Sequence, residues 1–163
     1  MDDTERRVRE IVETLGIEHE FVDCDPTLAD TAQFVEAYGY SMEESANTIV
    51  VIGKSEPPVY AACVVLGHTR LDVNRVVKKR LGTRKASFAS ADDTQALTGM
   101  AIGGVTPFGL PADLPLWIDA RVMECARIVL GGGSRACKVV GPPTLLTALP
   151  TAEVVVDLAR ESQ

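Results

Sequence analysis

Three groups of residues in this chain could do chemistry. The first is Thr98-Gly99-Met100-Ala101-Ile102-Gly103-Gly104-Val105-Thr106-Pro107-Phe108-Gly109-Leu110-Pro111, with four glycines and two prolines among apolar residues and no charge. Gly103-Gly104 followed by Pro107 is incompatible with a helix interior, because glycine raises the entropic cost and proline removes a donor. The stretch reads as a rigid, largely buried bend whose main chain forms one wall of a pocket. A tight turn between core strands, with no ligand, would have the same composition. The second group is a basic stripe: Arg70, Arg75, Lys78, Lys79, Arg80, Arg84 and Lys85 lie within sixteen positions against a single acid, Asp72. The stripe carries +6 in a chain of net charge −7, leaving −13 for the remainder. An acidic body excludes general polyanion affinity, but such a stripe can bind phosphate locally; a solvated helix face has the same pattern. The third group is Cys24, Cys63, Cys125 and Cys137 with His19 and His68. Their spacings match no CxxC or zinc pattern, so neither a metal site nor a cofactor is expected. No Ser-His-Asp set or nucleophilic cysteine is evident, and Cys63 reads as core.

Helices and strands must carry these groups. The 163 residues suit one domain spanning 1–163, and the 46% hydrophobic and 24% charged fractions are ordinary for a globular protein. No apolar run reaches the ~18 residues of a membrane span, and the charged N-terminus is unlike a signal peptide, so a cytoplasmic protein without a membrane partner is expected. Val8, Ile11, Val12 and Leu15 recur at helical spacing before Gly16. A strand over 18–23 follows. A helix over 28–38, with Leu28, Ala32, Val35 and Ala37 as its apolar positions, is closed by Gly39. Residues 47–52 and 59–66 form two strong strands, paired as a hairpin buried on both faces at the centre of the sheet. A helix over 72–81 presents Val73, Val76 and Val77 inward and the basic residues outward. Short strands at 85–88, 116–119, 127–130, 138–140 and 154–158 alternate with short helices over 90–97, 122–125 and 142–149, and Gly131-Gly132-Gly133-Ser134 reads as a flexible turn. The fold class is α+β: a mixed, curved sheet or partial barrel wrapped by helices.

From about Val22 to Leu149 the chain resembles the YbaK-type, prolyl-tRNA-synthetase-associated editing domain. Ala46 to Val51 looks like that family's first central strand, and Gly67-His68-Thr69-Arg70-Leu71-Asp72 like the turn before its basic helix. Thr98 to Gly109 is similar to the signature T-G-x-x-x-G-G-x-(S/T/A)-P-x-G. Trp117-Ile118-Asp119 resembles a hydrophobic-hydrophobic-Asp strand, and Gly131-Gly132-Gly133 the small-residue turn after it. The resemblance implies a free-standing aminoacyl-tRNA deacylase that hydrolyses the ester of mischarged tRNA in trans; small residues such as Ser, Thr or Ala are the expected edited amino acids, since one methylene changes binding by only ~1–3 kcal/mol and errors among small residues need editing. Its partners would be the acceptor end of aminoacyl-tRNA and, further, an aminoacyl-tRNA synthetase. Many members carry a lysine just before the strand threonine; this chain has Asn47, as in a lysine-free branch. A neutral amide offers two donors and an acceptor but no charge. On this reading Asn47 with the main chain of Gly103 and Gly104 makes up the catalytic group, the two amides acting as oxyanion donors. Thr48, His68, Thr106, Pro107, Phe108, Asp119, Gly131 and Gly133 are the substrate-binding candidates. Arg70, Arg75, Lys78, Lys79 and Arg80 are the tRNA-binding ones. The alternative function is a non-catalytic amino-acid- or nucleotide-binding module of the same fold.

Overall fold

A computed structural model describes residues 1–162. Its centre is the expected hairpin, β2 (Ala46–Gly53) against β3 (Val59–Leu66), antiparallel along all eight residues. β3 is apolar on both faces. Ala62, Val64 and Leu66 point into the larger core, while Ala61, Cys63 and Val65 point into a second core on the opposite face. A strand with cores on both sides cannot alternate polar and apolar residues, which is why it reads as one unbroken run. β5 (Ala86–Phe88) extends the sheet antiparallel to β2. β6 (Leu116–Asp119) and β9 (Ala152–Val155) extend it parallel to β3, in the order β5-β2-β3-β6-β9.

A separate antiparallel sheet, β1-β8-β7, is formed by Glu20–Asp23, Cys137–Gly141 and Ile128–Gly131. It is stitched to the entry of β2 by a parallel bridge between Ser45 and Val129 and by Val129 N–H donating to Glu44 C=O at 2.9 Å. The mixed, open arrangement bears out the α+β expectation.

Helix α1 (Asp3–Thr14), capped by the Asp2 carboxylate on Glu5 N–H, buries Val8 and Val12 in the larger core. The basic segment is continuous from Val73–Val77 into α3 (Lys78–Leu81). It opens on a widened turn in which both Val76 and Val77 N–H donate to Asp72 C=O. Val77 fills the second core, with Val73 and Val76 partly buried beside it, as the spacing predicts.

Several details depart from expectation. Helix α2 (Thr31–Tyr38) starts late, because Pro26–Leu28 forms its own short turn. Its one buried residue is Phe34, while Ala32 and Ala37 face solvent. The ring at Phe34 outweighs two methyl groups in deciding which face turns inward. The expected final strand over 154–158 is interrupted at Val156–Leu158. Beyond that break, β10 (Ala159–Glu161) pairs with β4 (Thr69–Leu71), a strand where a turn is expected. The glycine turn over 131–134 is tightly packed rather than flexible. Gly132 and Gly133 are buried, and a Cβ on Gly132 would sit 2.6 Å from Cys137 C=O. Among the described residues no helix is long and apolar enough to cross a membrane.

Candidate active site

Past the Ser45–Val129 bridge, no strand among the described residues pairs with the first half of β2 on its outer side, since β5 pairs only with Val51–Gly53. The gap is lined by α2 and the loop before it (Ala29, Thr31, Phe34), by Ser45 to Ile49, by the bend (Ile102, Gly103, Val105) and by the second sheet (Val129, Leu130, Gly131, Lys138). These surround a cavity of about 250 Å³. That exceeds the ~150 Å³ known to hold a benzene ring, so a small side chain and part of a ribose fit.

The bend is shaped for close approach. Gly103 has φ +94°, where side chains are strained, and its carbonyl turns toward Lys138. Gly104 is wedged against the Ser134 main chain, 2.6 Å from where its Cβ would lie, and Gly131 abuts the Val105 carbonyl. Bend and glycine turn are thus packed backbone to backbone, and Gly133 N–H donates to Gly104 C=O at 2.9 Å. The Gly104 amide is spent on Ala101 C=O at 2.9 Å, which removes it as an oxyanion donor. The Gly103 amide has no acceptor among the described residues.

Asn47 receives the Thr31 hydroxyl on Oδ1 at 2.8 Å, which leaves its amide N–H groups to the cavity. Thr48, next to it, has a buried hydroxyl without a hydrogen-bond partner among the described residues. An unmet buried polar group costs about 1–3 kcal/mol.

The group that sequence reading missed is Lys138. It is 7% exposed in β8, and its ammonium donates to Ala29 C=O at 2.7 Å and Gly103 C=O at 2.9 Å. Burial pulls its pKa below the ordinary lysine value. The cation that Asn47 does not supply on β2 therefore reaches the same cavity from β8. The signal was available as a lone charge inside the apolar run Cys137 to Val140. Strand assignment by hydrophobicity absorbed it.

The other candidates lie elsewhere. Thr106 and Phe108 are fully buried behind the bend, with Phe108 part of the larger core. Pro107 lines a separate apolar hollow with Ile11, Leu110 and Leu149. Gly133 packs on Val8 of α1. Asp119 is fully buried and accepts from Arg121 Nη1 at 3.4 Å and from Ala159 N–H at 3.5 Å, tying β6 to β10. His68 sits in the turn between β3 and β4, away from the cavity lining. None of Arg70, Arg75, Lys78, Lys79 and Arg80 lines the cavity. Arg75 pairs with Asp72 at 3.2 Å, and Arg80 pairs with Glu153 while lying over the Trp117 ring. No cysteine or histidine lines the cavity either, and burial pushes all four thiols up, Cys63 to about 12. Among the described residues no group of three or more His, Cys, Asp or Glu side chains could hold a metal ion. No thiol is placed to attack a substrate held in this cavity.

A model of the aminoacyl-tRNA editing domain matches residues 25–149, a span that contains every wall of the cavity. The chain belongs to this family of aminoacyl-tRNA deacylases. Among its relatives is EbsC of Enterococcus faecalis (strain ATCC 700802 / V583), named as a proposed Cys-tRNA(Pro)/Cys-tRNA(Cys) deacylase. It is 24% identical over 83% of this chain and 80% of its own length. The uncharacterized protein YwhH of Bacillus subtilis (strain 168) is 24% identical over 88% of this chain and 89% of its own. The fold is that of a proposed trans-editing enzyme for prolyl tRNA synthetase, with TM-score 0.82 and 24% identity over 99% of both chains. It is also that of the hypothetical protein APE2540, with TM-score 0.83 and 26% identity over 94% of this chain and 99% of the other.

Proposed function

We propose that this protein hydrolyses, in trans and in the cytoplasm, the ester of tRNA mischarged with a small amino acid whose side chain carries a thiol or hydroxyl. Cysteine and serine lead this set, with threonine next and alanine last. The observation that carries the reading is the polar lining of so small a cavity: the Asn47 amide, the Thr31 hydroxyl bonded to it and the Lys138 ammonium. A site built around buried polar groups rejects an analogue that cannot bond them, which demotes alanine. The name of EbsC points toward cysteine.

Water adds to the ester carbonyl carbon, the bond to the ribose oxygen breaks, and that oxygen takes up a proton, giving free amino acid and tRNA. The Gly103 N–H and the Asn47 amide supply neutral donors for the developing oxyanion; one such donor is worth ~3 kcal/mol. The ribose hydroxyl of the substrate helps to place the water. Arg70, Lys78 and Lys79, which make no ion pair among the described residues, grip phosphates farther along the tRNA, and a synthetase is the natural source of the mischarged product.

The test is a panel of tRNAs carrying Cys, Ser, Thr, Ala, Pro or Leu, with release of free amino acid measured. Cys and Ser released ahead of Ala, with Leu untouched, is the expected order. No release from any member refutes the reading.

A further inference from the structure

Two loops face each other across the cavity: residues 25–30, ahead of α2, and residues 101–104 of the bend. They are remote in sequence, and no main-chain hydrogen bond joins them among the described residues. Two cations join them instead, Arg135 in the turn before β8 and Lys138 within it, and each touches both loops. Lys138 Nζ donates to Ala29 C=O at 2.7 Å and Gly103 C=O at 2.9 Å. Arg135 donates from Nε to Pro26 C=O at 2.9 Å. From one terminal nitrogen it donates to Ile102 C=O at 2.7 Å and to the Asp30 carboxylate at 3.1 Å. The fit is close: a Cβ on Gly103 would fall on the Arg135 guanidinium and 3.4 Å from the Ala29 Cβ.

The chemistry of the pair argues for more than packing. A buried ammonium with no carboxylate in ion-pair range among the described residues is costly, and an apolar side chain in β8 would avoid that cost. What the lysine provides is a fixed distance between two carbonyls. Arginine, with its planar fork, provides the same between two more. Three of the carbonyls so held, those of Ala29, Ile102 and Gly103, belong to residues that line the cavity.

We propose that Arg135 and Lys138 are positioning residues that clasp the 25–30 loop to the bend, setting the width of the cavity and hence the largest side chain it admits. The size limit rests on the deacylase reading above; the clasp itself does not.

The experiment uses the full-length protein with Arg135→Gln and, separately, Lys138→Met. Amide hydrogen exchange is followed by mass spectrometry over 25–30, 101–104 and the β2–β3 hairpin. In either variant both loops should exchange at least about tenfold faster while the hairpin keeps its wild-type protection. Loosening of one loop alone, or of neither, overturns the clasp. Because Lys138→Met removes a buried group and can fail to fold, the partly exposed Arg135 supplies the second variant. The kcat/KM ratio of Cys-tRNA over Leu-tRNA should fall by about tenfold or more in Arg135→Gln, mostly through a gain on Leu-tRNA. Equal loss on both substrates, in a variant whose loops have loosened, overturns the width claim. Should the wild-type protein release nothing from any charged tRNA, the deacylase reading fails, and hydrogen exchange still decides the clasp.

Discussion

Gly103→Ala probes the bend most sharply. At φ +94° an alanine is strained by about 1–3 kcal/mol, the range for a side chain held in a sparsely populated region. The new Cβ also falls on the Arg135 guanidinium, the far end of a flexible side chain. Arg135 can swing away, giving up its bonds to Ile102 and Asp30. Its 32% exposure lets water replace part of that loss, so we add only about 1 kcal/mol. The total of about 2–4 kcal/mol stays within the 5–15 kcal/mol that domains possess, and corresponds to a fall in Tm of about 5–15 °C. The variant should therefore fold at 15 °C. Displacing the Gly103 amide and carbonyl by even a fraction of an ångström should slow single-turnover deacylation by tenfold or more. Gly82→Ala is the control. It bears similar strain at φ +70°, but nothing lies within 4 Å of the new Cβ, so Tm drops slightly and the rate holds. Gly104→Ala would instead drive its Cβ into the Ser134 main chain, which cannot swing aside, and is expected to unfold. A folded Gly103→Ala protein with the wild-type rate would refute the bend as a wall of the active site.

Other consequences follow from the same geometry. Alkylation with iodoacetamide at pH 8 should leave the deacylation rate unchanged and react slowly with the folded protein by mass spectrometry, since burial holds every thiol protonated; rapid loss of activity would reinstate a thiol mechanism. In a double-mutant cycle, Thr31→Val and Asn47→Ala should show a coupling in kcat/KM of about 1 kcal/mol through their 2.8 Å hydrogen bond, and additive effects would mean that Thr31 does not orient the amide. Lys78→Glu with Lys79→Glu should weaken use of intact tRNA and flatten its salt dependence while sparing a minimal aminoacyl-adenosine; equal loss on both would remove the basic stripe from substrate binding. The stability of wild type relative to Lys138→Met should rise with pH between the lowered folded-state value of Lys138 and the ordinary ~10.4. In that window the unfolded chain binds the extra proton, so removing protons favours the folded state. A flat difference in denaturant midpoints across pH 8–10.5 would contradict the buried ammonium.

Sequence made the frame legible where a single physical rule dominated. The Val/Ile-rich run at Thr48 to Ile52 and the unbroken apolar run at Ala61 to Leu66 marked the hairpin, but only β3 is buried on both faces, while Thr48, Ile49 and Ile52 of β2 are half-buried. Gly103, Gly104 and Pro107 marked a bend, and that bend does meet Asn47 across one cavity. What stayed hidden depends on long-range contact. Asp119 and Phe108 have the chemistry of substrate contacts, yet β6 and the larger core bury them completely. The basic stripe was visible, but the side of the sheet it covers was not, because both faces of β3 are equally apolar. Lys138 and Arg135 meet residues some 35 and 110 positions away, and only folding brings those partners together.

The central claim, that the acylated 3′ terminus lodges between Asn47, the bend and Lys138, is tested most directly by a crystal structure with a non-hydrolysable cysteinyl-3′-amino-adenosine. The account predicts the cysteinyl group inside the cavity, its side chain beside Thr31 and Asn47 and its carbonyl oxygen beside Gly103 N–H. A ligand seated elsewhere, with the cavity unchanged, would contradict it.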